Sequence, residues 1–221
     1  MGSGKADGYQ AVLIDLYSTL VWSNWTKWNE TLSARLGVSA IELGRAFDET
    51  RPARSAGAYP HPEGDIEAVL KELGINPAPE LVSDIRELEE REVLQDIHLY
   101  DDSLPTVREL RARGIATALV SNCSHNTRPV VERLGLPAEF DQMILSFEVG
   151  AGKPQPRIYQ VALERLGVAD AARALFVDDQ PEFCGGAVAV GLDTLLIVRP
   201  GSDLPHDAGQ LPTIATLSEL L

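Results

Sequence analysis

Apolar and polar positions fall into two regimes along this chain, with the change near residue 100. The first clear element is Ala11-Val12-Leu13-Ile14, a short apolar run that stops at Asp15-Leu16-Tyr17-Ser18-Thr19-Leu20. A run of this kind ending abruptly at a carboxylate reads as a buried parallel strand that delivers Asp15 to the edge of a sheet. Residues 21 to 99 then carry helical periodicity. Trp22, Trp25 and Trp28 recur every third residue, and Leu32 and Leu36 continue the stripe. Further helices are predicted over 39–49, 63–73 and 80–94, with loops at 51–62 and 74–79 rich in Pro, Gly and Ala. No strand is predicted in this stretch. At about 75 residues it is far longer than an ordinary loop and needs its own packing.

From residue 103 strands and helices alternate. Helices are predicted over 104–113, 125–134, 156–166 and 181–190, each followed by a glycine at 114, 135, 167 or 191. Strands are predicted over 115–120, 142–146, 174–177 and 193–198, with a helical stub at 217–221. Alternation at this spacing predicts an α/β fold, a parallel sheet covered on both faces. The domain expectation is a core of residues 7–20 and 100–221, with a helical insertion from 21 to 99.

Composition narrows the partners. The chain has 221 residues, 44% hydrophobic and 24% charged, enough to bury a proper core. With 19 Lys+Arg against 33 Asp+Glu the net charge is −14, which disfavours nucleic acid and anionic membranes. No apolar run approaches the ~20 residues needed to span a bilayer. Residues 1–7 lack the apolar segment of a secretory signal and read as a flexible leader. Two separated cysteines, Cys123 and Cys184, argue against a disulfide framework and for the reducing cytoplasm.

The strand ends carry the chemistry. In parallel sheets ligands bind at the C-terminal ends of strands. Gathered there are Asp15 with Tyr17 and Thr19, Ser121 with Asn122, Lys153 in the loop after the third strand, and Asp178 with Asp179. This set suits attack by a carboxylate on an electrophile through a covalent intermediate. Lys153 balances charge beside Asp15, and hydroxyl and amide donors hold the transferring group. Two further carboxylates help only if a hard cation such as Mg²⁺ binds among them.

These motifs resemble the haloacid dehalogenase (HAD) superfamily over roughly residues 11 to 200. Asp15 with Thr19 matches its first motif, Ser121 followed by Asn122 the second, and Glu148-Val149-Gly150-Ala151-Gly152-Lys153-Pro154 with Ile158-Tyr159 the third. Phe176-Val177-Asp178-Asp179 matches the fourth. The resemblance implies a Rossmann-like HAD core with an inserted α-helical cap. Asp15 would be the nucleophile, Tyr17 and Lys153 would serve the catalytic centre, and Thr19, Ser121 and Asn122 would hold substrate. Mg²⁺ would lie on Asp15, Asp178, Asp179 and the Tyr17 carbonyl.

The chain departs from the family's phosphatases at Tyr17, where they place a second Asp as general acid/base. Tyr17, Lys153 and Tyr159 resemble the metal-independent 2-haloacid dehalogenases, whereas paired Asp178 and Asp179 suit a metal site and would burden a dehalogenase with negative charge. The reading is a Mg²⁺-dependent phosphatase acting on a small, anionic phosphorylated metabolite. Its alternatives are a 2-haloacid dehalogenase, with Arg51 or Arg54 taking the carboxylate, and a non-catalytic binding module. A homodimer is compatible with all three.

Other features have plainer readings. Gly150-Ala151-Gly152-Lys153 is no P-loop, since Pro154 follows the lysine. His61, His98, His125 and His206 lack ligand spacing and read as surface or capping residues. Cys123 reads as a small buried residue. The tryptophan stripe reads as packing before ligand contact, and Arg86 to Glu92 as a solvated helix face with i,i+4 pairs.

Overall fold

The computed structural model describes residues 4–93, 96–201 and 209–221, so His206 lies outside the described residues. In chain order, β1 (Ala11–Ile14) leads through a tight loop to β2 (Val21–Ser23) and four helices: α1 (Trp25–Leu36), α2 (Ala40–Ser55), α3 (Pro62–Glu72) and α4 (Pro79–Val93). After β3 (Ile97–Leu99) come α5 (Ser103–Ala112), β4 (Ala116–Ser121), α6 (Thr127–Arg133), α7 (Leu136–Glu139), β5 (Gln142–Leu145) and α8 (Ser146–Val149). Then follow α9 (Pro156–Leu166), β6 (Ala174–Asp178), α10 (Pro181–Val190), β7 (Asp193–Ile197) and β8 (Thr213–Ile214), with a closing 3-10 turn at Leu217–Leu220.

Six strands form one sheet in the order β5-β4-β1-β6-β7-β8. All pairs are parallel, with Ile14 aligned to Leu119 on one side and Val177 on the other. Every residue of β1 is buried because helices cover both faces. Alternate side chains separate into two cores. Val12 and Ile14 pack with Val107, Leu110, Val130 and Leu136, whereas Ala11 and Leu13 pack with Ile158, Tyr159, Ala162 and Ala187. The α/β fold with a parallel sheet is therefore present as expected.

The expectation of no strand between 21 and 99 is wrong. β2 and β3 pair antiparallel, with Trp22 opposite His98. Each spans three residues, too few for periodicity to register, and their partners are far apart in sequence. The tryptophan stripe divides accordingly. Trp22 stands exposed on β2 against the His98 ring, Trp25 opens α1, and Trp28 alone is in the core at 6% exposure. The predicted loop from 51 is also corrected, since α2 runs to Ser55 through Pro52. Proline removes a single backbone donor there. Arg54 ties the last turn back to the helix through Thr50 Oγ1 (3.0 Å) and the Phe47 carbonyl (2.8 Å).

Candidate active site

β1, β4 and β6 end side by side, and each delivers a polar residue where the sheet stops. Beyond Asp15 the chain turns sharply. The Leu16 carbonyl accepts from Leu20 N (2.8 Å) and Val21 N (2.9 Å), and Ser18 takes the left-handed region at φ 59°. Such a backbone costs a non-glycine residue of order 1 kcal/mol, and tight turns at functional sites commonly carry it. From the far side Arg199, buried at 5% exposure, grips the turn. Its Nε and a terminal nitrogen donate to the Thr19 carbonyl (3.1 and 2.6 Å), and its other terminal nitrogen donates to Asp102 Oδ2 (2.8 Å). The sequence reading missed Arg199; the signal available was an arginine placed directly after an apolar strand.

Lys153 is the centre of the constellation. Its Nζ donates to Asp15 Oδ1 (2.5 Å), Asp178 Oδ2 (2.6 Å) and the Val120 carbonyl (3.0 Å), so all three ammonium protons are used. Asn122 fixes the lysine backbone from both directions. Its Nδ2 donates to the Lys153 carbonyl (2.7 Å), and its Oδ1 accepts from Lys153 N (2.7 Å). Gly152 has to be glycine, because a Cβ there would come within 2.9 Å of Asn122 Oδ1. Asp178 is further held by Gln180 N (2.8 Å), and Asp179 accepts from Gln180 Nε2 (2.9 Å).

Burial pushes the Asp15 carboxyl up to about 7, with Asp178 adding to the rise and Lys153 opposing it. Asp178 and Asp179 are each pushed up to about 6, again chiefly by burial. Oxygens of Asp15, Asp178 and Asp179 lie within 4.8 Å of one another. Three carboxylates against one ammonium leave two negative charges in excess inside the protein, a costly state without a counter-ion. The donor set is all oxygen and anionic, which fits a hard divalent cation. Close by in sequence, Thr19 Oγ1 and Ser121 Oγ are buried with no hydrogen-bond partner among the described residues, a condition a bound group would relieve.

The remaining sequence-predicted residues divide. The half-buried Tyr17 turns its hydroxyl to Thr127 Oγ1 (3.1 Å) and its ring to Trp25, 5.8 Å away. Burial raises the phenol's pKa further, so it stays protonated. The Tyr159 hydroxyl is committed to the Phe183 carbonyl (2.7 Å) and so braces α10. Cys123 and Cys184 are free and buried, and burial pushes both thiols up to about 12.

The polar joint between the helices and the loop after β4 is absent from the sequence reading. Asp65 Oδ2 accepts from His125 N (3.1 Å) and lies 2.9 Å from its Nδ1, while Asn126 Nδ2 donates to Glu89 (2.8 Å). His125 is therefore part of a packing joint, and Glu89 leaves the solvated face expected for residues 86–92. The polar run Ser124-His125-Asn126 directly after a strand end was the available signal.

A parallel sheet whose strand ends gather a buried aspartate, a lysine bridging two carboxylates and a third acid defines a carboxylate-centred enzyme site. Residues 9–191 match the profile of the haloacid dehalogenase-like hydrolases; the chain belongs to this family and is a hydrolase. It is 28% identical over 207 residues to a phosphatase of Mycobacterium tuberculosis, covering 86% of this chain and 88% of that one. It is 34% identical over 127 residues to an (S)-2-haloacid dehalogenase of a Pseudomonas species, covering 57% and 56%. Among solved structures it resembles a HAD phosphatase from Thermococcus onnurineus, with TM-score 0.67, 25% identity, and 96% and 95% coverage. Phosphatases and dehalogenases both stand among its relatives. Among the described residues no helix is long and apolar enough to cross a membrane.

Proposed function

We propose that this hydrolase is a Mg²⁺-dependent phosphatase of a small phosphorylated metabolite, working in the cytoplasm through an aspartyl-phosphate on Asp15. The observation that carries the reading is the excess of buried carboxylate, with Asp15, Asp178 and Asp179 within 4.8 Å and, among the described residues, Lys153 alone in an ion pair with them. A dehalogenase has no use for that excess, whereas a phosphatase site uses it to hold a cation. Asp15, Asp178, Asp179 and the Tyr17 carbonyl would hold Mg²⁺, which supplies charge neutralisation for a phosphoryl group approaching a carboxylate.

The protein's own residues account for the two displacements. An Asp15 oxygen attacks phosphorus, the bond from phosphorus to the leaving oxygen breaks, and that oxygen departs with the electron pair and takes a proton from water. Water then attacks the same phosphorus, the bond between phosphorus and Asp15 breaks, and inorganic phosphate leaves. Lys153 holds Asp15 in place and offsets its charge. Thr19 and Ser121, whose hydroxyls have no partner among the described residues, donate to phosphoryl oxygens. Asn122 acts through Lys153. Helices α1–α4, within residues 21–99, form the cap that shields the site and selects the leaving group.

One observation favours the second reading, hydrolytic dehalogenation: Tyr17 stands where a phosphatase carries its second carboxylate. The experiment is release of phosphate from a panel of phosphate esters, beside release of halide from short 2-haloacids. Phosphate release abolished by chelator and by Asp15→Asn is the expected result. Halide release that persists in chelator, without phosphate release, overturns the phosphatase reading.

A further inference from the structure

Arg199 lies outside the constellation around Lys153, yet its side chain ends on the turn that leaves Asp15. It follows β7, which stands two places from β1 in the sheet, with β6 between them. The side chain therefore ties together two strands that are not neighbours. Both donors on one edge of its guanidinium, Nε at 3.1 Å and a terminal nitrogen at 2.6 Å, converge on the Thr19 carbonyl. The turn's own amides go elsewhere: Leu20 N and Val21 N to the Leu16 carbonyl, and Ser18 N to the Val21 carbonyl (2.7 Å). Arg199 thus sets the Thr19 peptide from outside the turn.

The arginine is itself held on its other sides. The Tyr100 ring lies against its face, with the guanidinium carbon 4.1 Å from the ring centroid, and Asp102 Oδ2 accepts from its other terminal nitrogen (2.8 Å). Asp102 opens α5, a place where aspartate ordinarily caps the first helix amides. Among the described residues its side chain makes no such bond. Oδ2 instead accepts from Arg199 and from Leu217 N (2.6 Å), and Oδ1 is buried with no partner among the described residues. A buried ion pair adds little net stability, and this one also forgoes a helix cap. What it does supply is a fixed direction for the guanidinium fork. Thr19, at the receiving end, is fully buried, and its Oγ1 has no partner among the described residues. A clamped backbone and an uncommitted hydroxyl on one residue suit a donor set in advance for a ligand.

We propose that Arg199 is a positioning residue for hydrolysis: through the Thr19 carbonyl it aims the Thr19 hydroxyl at the group transferred from substrate to Asp15. Asp102 and Tyr100 keep the arginine in that pose. The phosphatase reading enters only as the identity of the transferred group.

The test is a double-mutant cycle on phosphate release, with Arg199→Met, Thr19→Val and the double variant. Thr19→Val removes the hydroxyl at nearly constant shape and should lower kcat by about 10²–10³-fold, the loss of one such donor. Arg199→Met should lower kcat by about 10–10²-fold with KM changed less than about threefold, as a misplaced donor does. The double variant should match Thr19→Val within about threefold, because the arginine acts through that hydroxyl. Losses that multiply, an unchanged kcat in either single variant, or a loss confined to KM overturn the proposal. Arg199→Lys, which keeps the charge and lacks the fork, replaces the methionine variant if that does not fold. If no ester releases phosphate, the phosphatase reading fails separately, and the same cycle is read on halide release from 2-haloacids. Amide exchange decides independently of turnover: Leu20 and Val21 should exchange at least about 10-fold faster in Arg199→Lys, with β1 unchanged. Equal exchange in wild type and variant overturns the proposal.

Discussion

Replacing Lys153 by methionine is the sharpest test of how this site is held together. The side chain is 1% exposed and bridges carboxylates of 8% and 0% side-chain exposure at 2.5 and 2.6 Å. Methionine keeps the length and apolar stem but strands Asp15 and Asp178 without a counter-charge. Removing one partner of a buried pair costs about 3–5 kcal/mol. At roughly 2–4 °C per kcal/mol for a chain this size, the melting midpoint should fall by about 6–20 °C at pH 8. The penalty must also depend on pH with a definite sign. Asp15 and Asp178 titrate at about 7 and about 6 in the fold, against ~3.9 when unfolded. Groups raised by folding contribute stability that is complete below pH ~4 and lost as pH rises through 6 and 7. Without the ammonium these carboxyls rise further, so the variant's deficit should be largest above pH 7 and shrink toward pH 5, where both take up protons. Thermal unfolding of both proteins from pH 5 to 8 reads this directly. A midpoint within 1–2 °C of wild type, or a deficit that does not change with pH, would refute the reasoning.

Further expectations are open to single measurements. Mg²⁺ should raise the melting midpoint at pH 8 and do so less as pH falls through 7 to 6, because protons compete for Asp15, Asp178 and Asp179. A stabilisation that is independent of pH counts against a carboxylate-held ion. Tyr17→Asp should speed phosphate release from esters with poor leaving groups by about 10²-fold, the lower end of the 10²–10⁴ that acid/base groups supply, and leave aryl phosphates little changed. Equal effects on both classes argue that residue 17 plays no part in proton transfer. Trp28→Ala should cost about 3–5 kcal/mol, whereas Trp22→Ala, at a residue 46% exposed, should stay within about 1 kcal/mol in chemical denaturation.

The parallel sheet was legible because β1, β4 and β6 are apolar runs that end at polar residues, a pattern that fixes both the element and its exposed end. The convergence of Asp15, Lys153 and Asp178 was legible for the same reason, as parallel strands place equivalent ends together. Contacts made across long separations without a periodic signal were not. β2 and β3 hold each other over more than seventy intervening positions with three residues apiece. Nothing local marks Arg199 as the partner of the Thr19 carbonyl, or Asp65 as the partner of His125. Tyr159 was legible only as part of a motif, and the use of its hydroxyl to brace a helix shows only in the fold.

The crossing between residues 20 and 100 has a consequence for how such a protein can change. Tyr100 N donates to the Leu20 carbonyl at 3.0 Å, and Ser103 Oγ reaches the same oxygen at 2.7 Å, so the chain departs and returns at one point. The excursion between them can grow, shrink or be exchanged without shifting the register of any strand in the six-stranded sheet, and each doubling of its length costs only about 0.6 kcal/mol in closure entropy. Sequence change can thus proceed in residues 21–99 while Asp15 and Lys153 stay where they are, and under the proposed cap role that is where selection on the substrate would act.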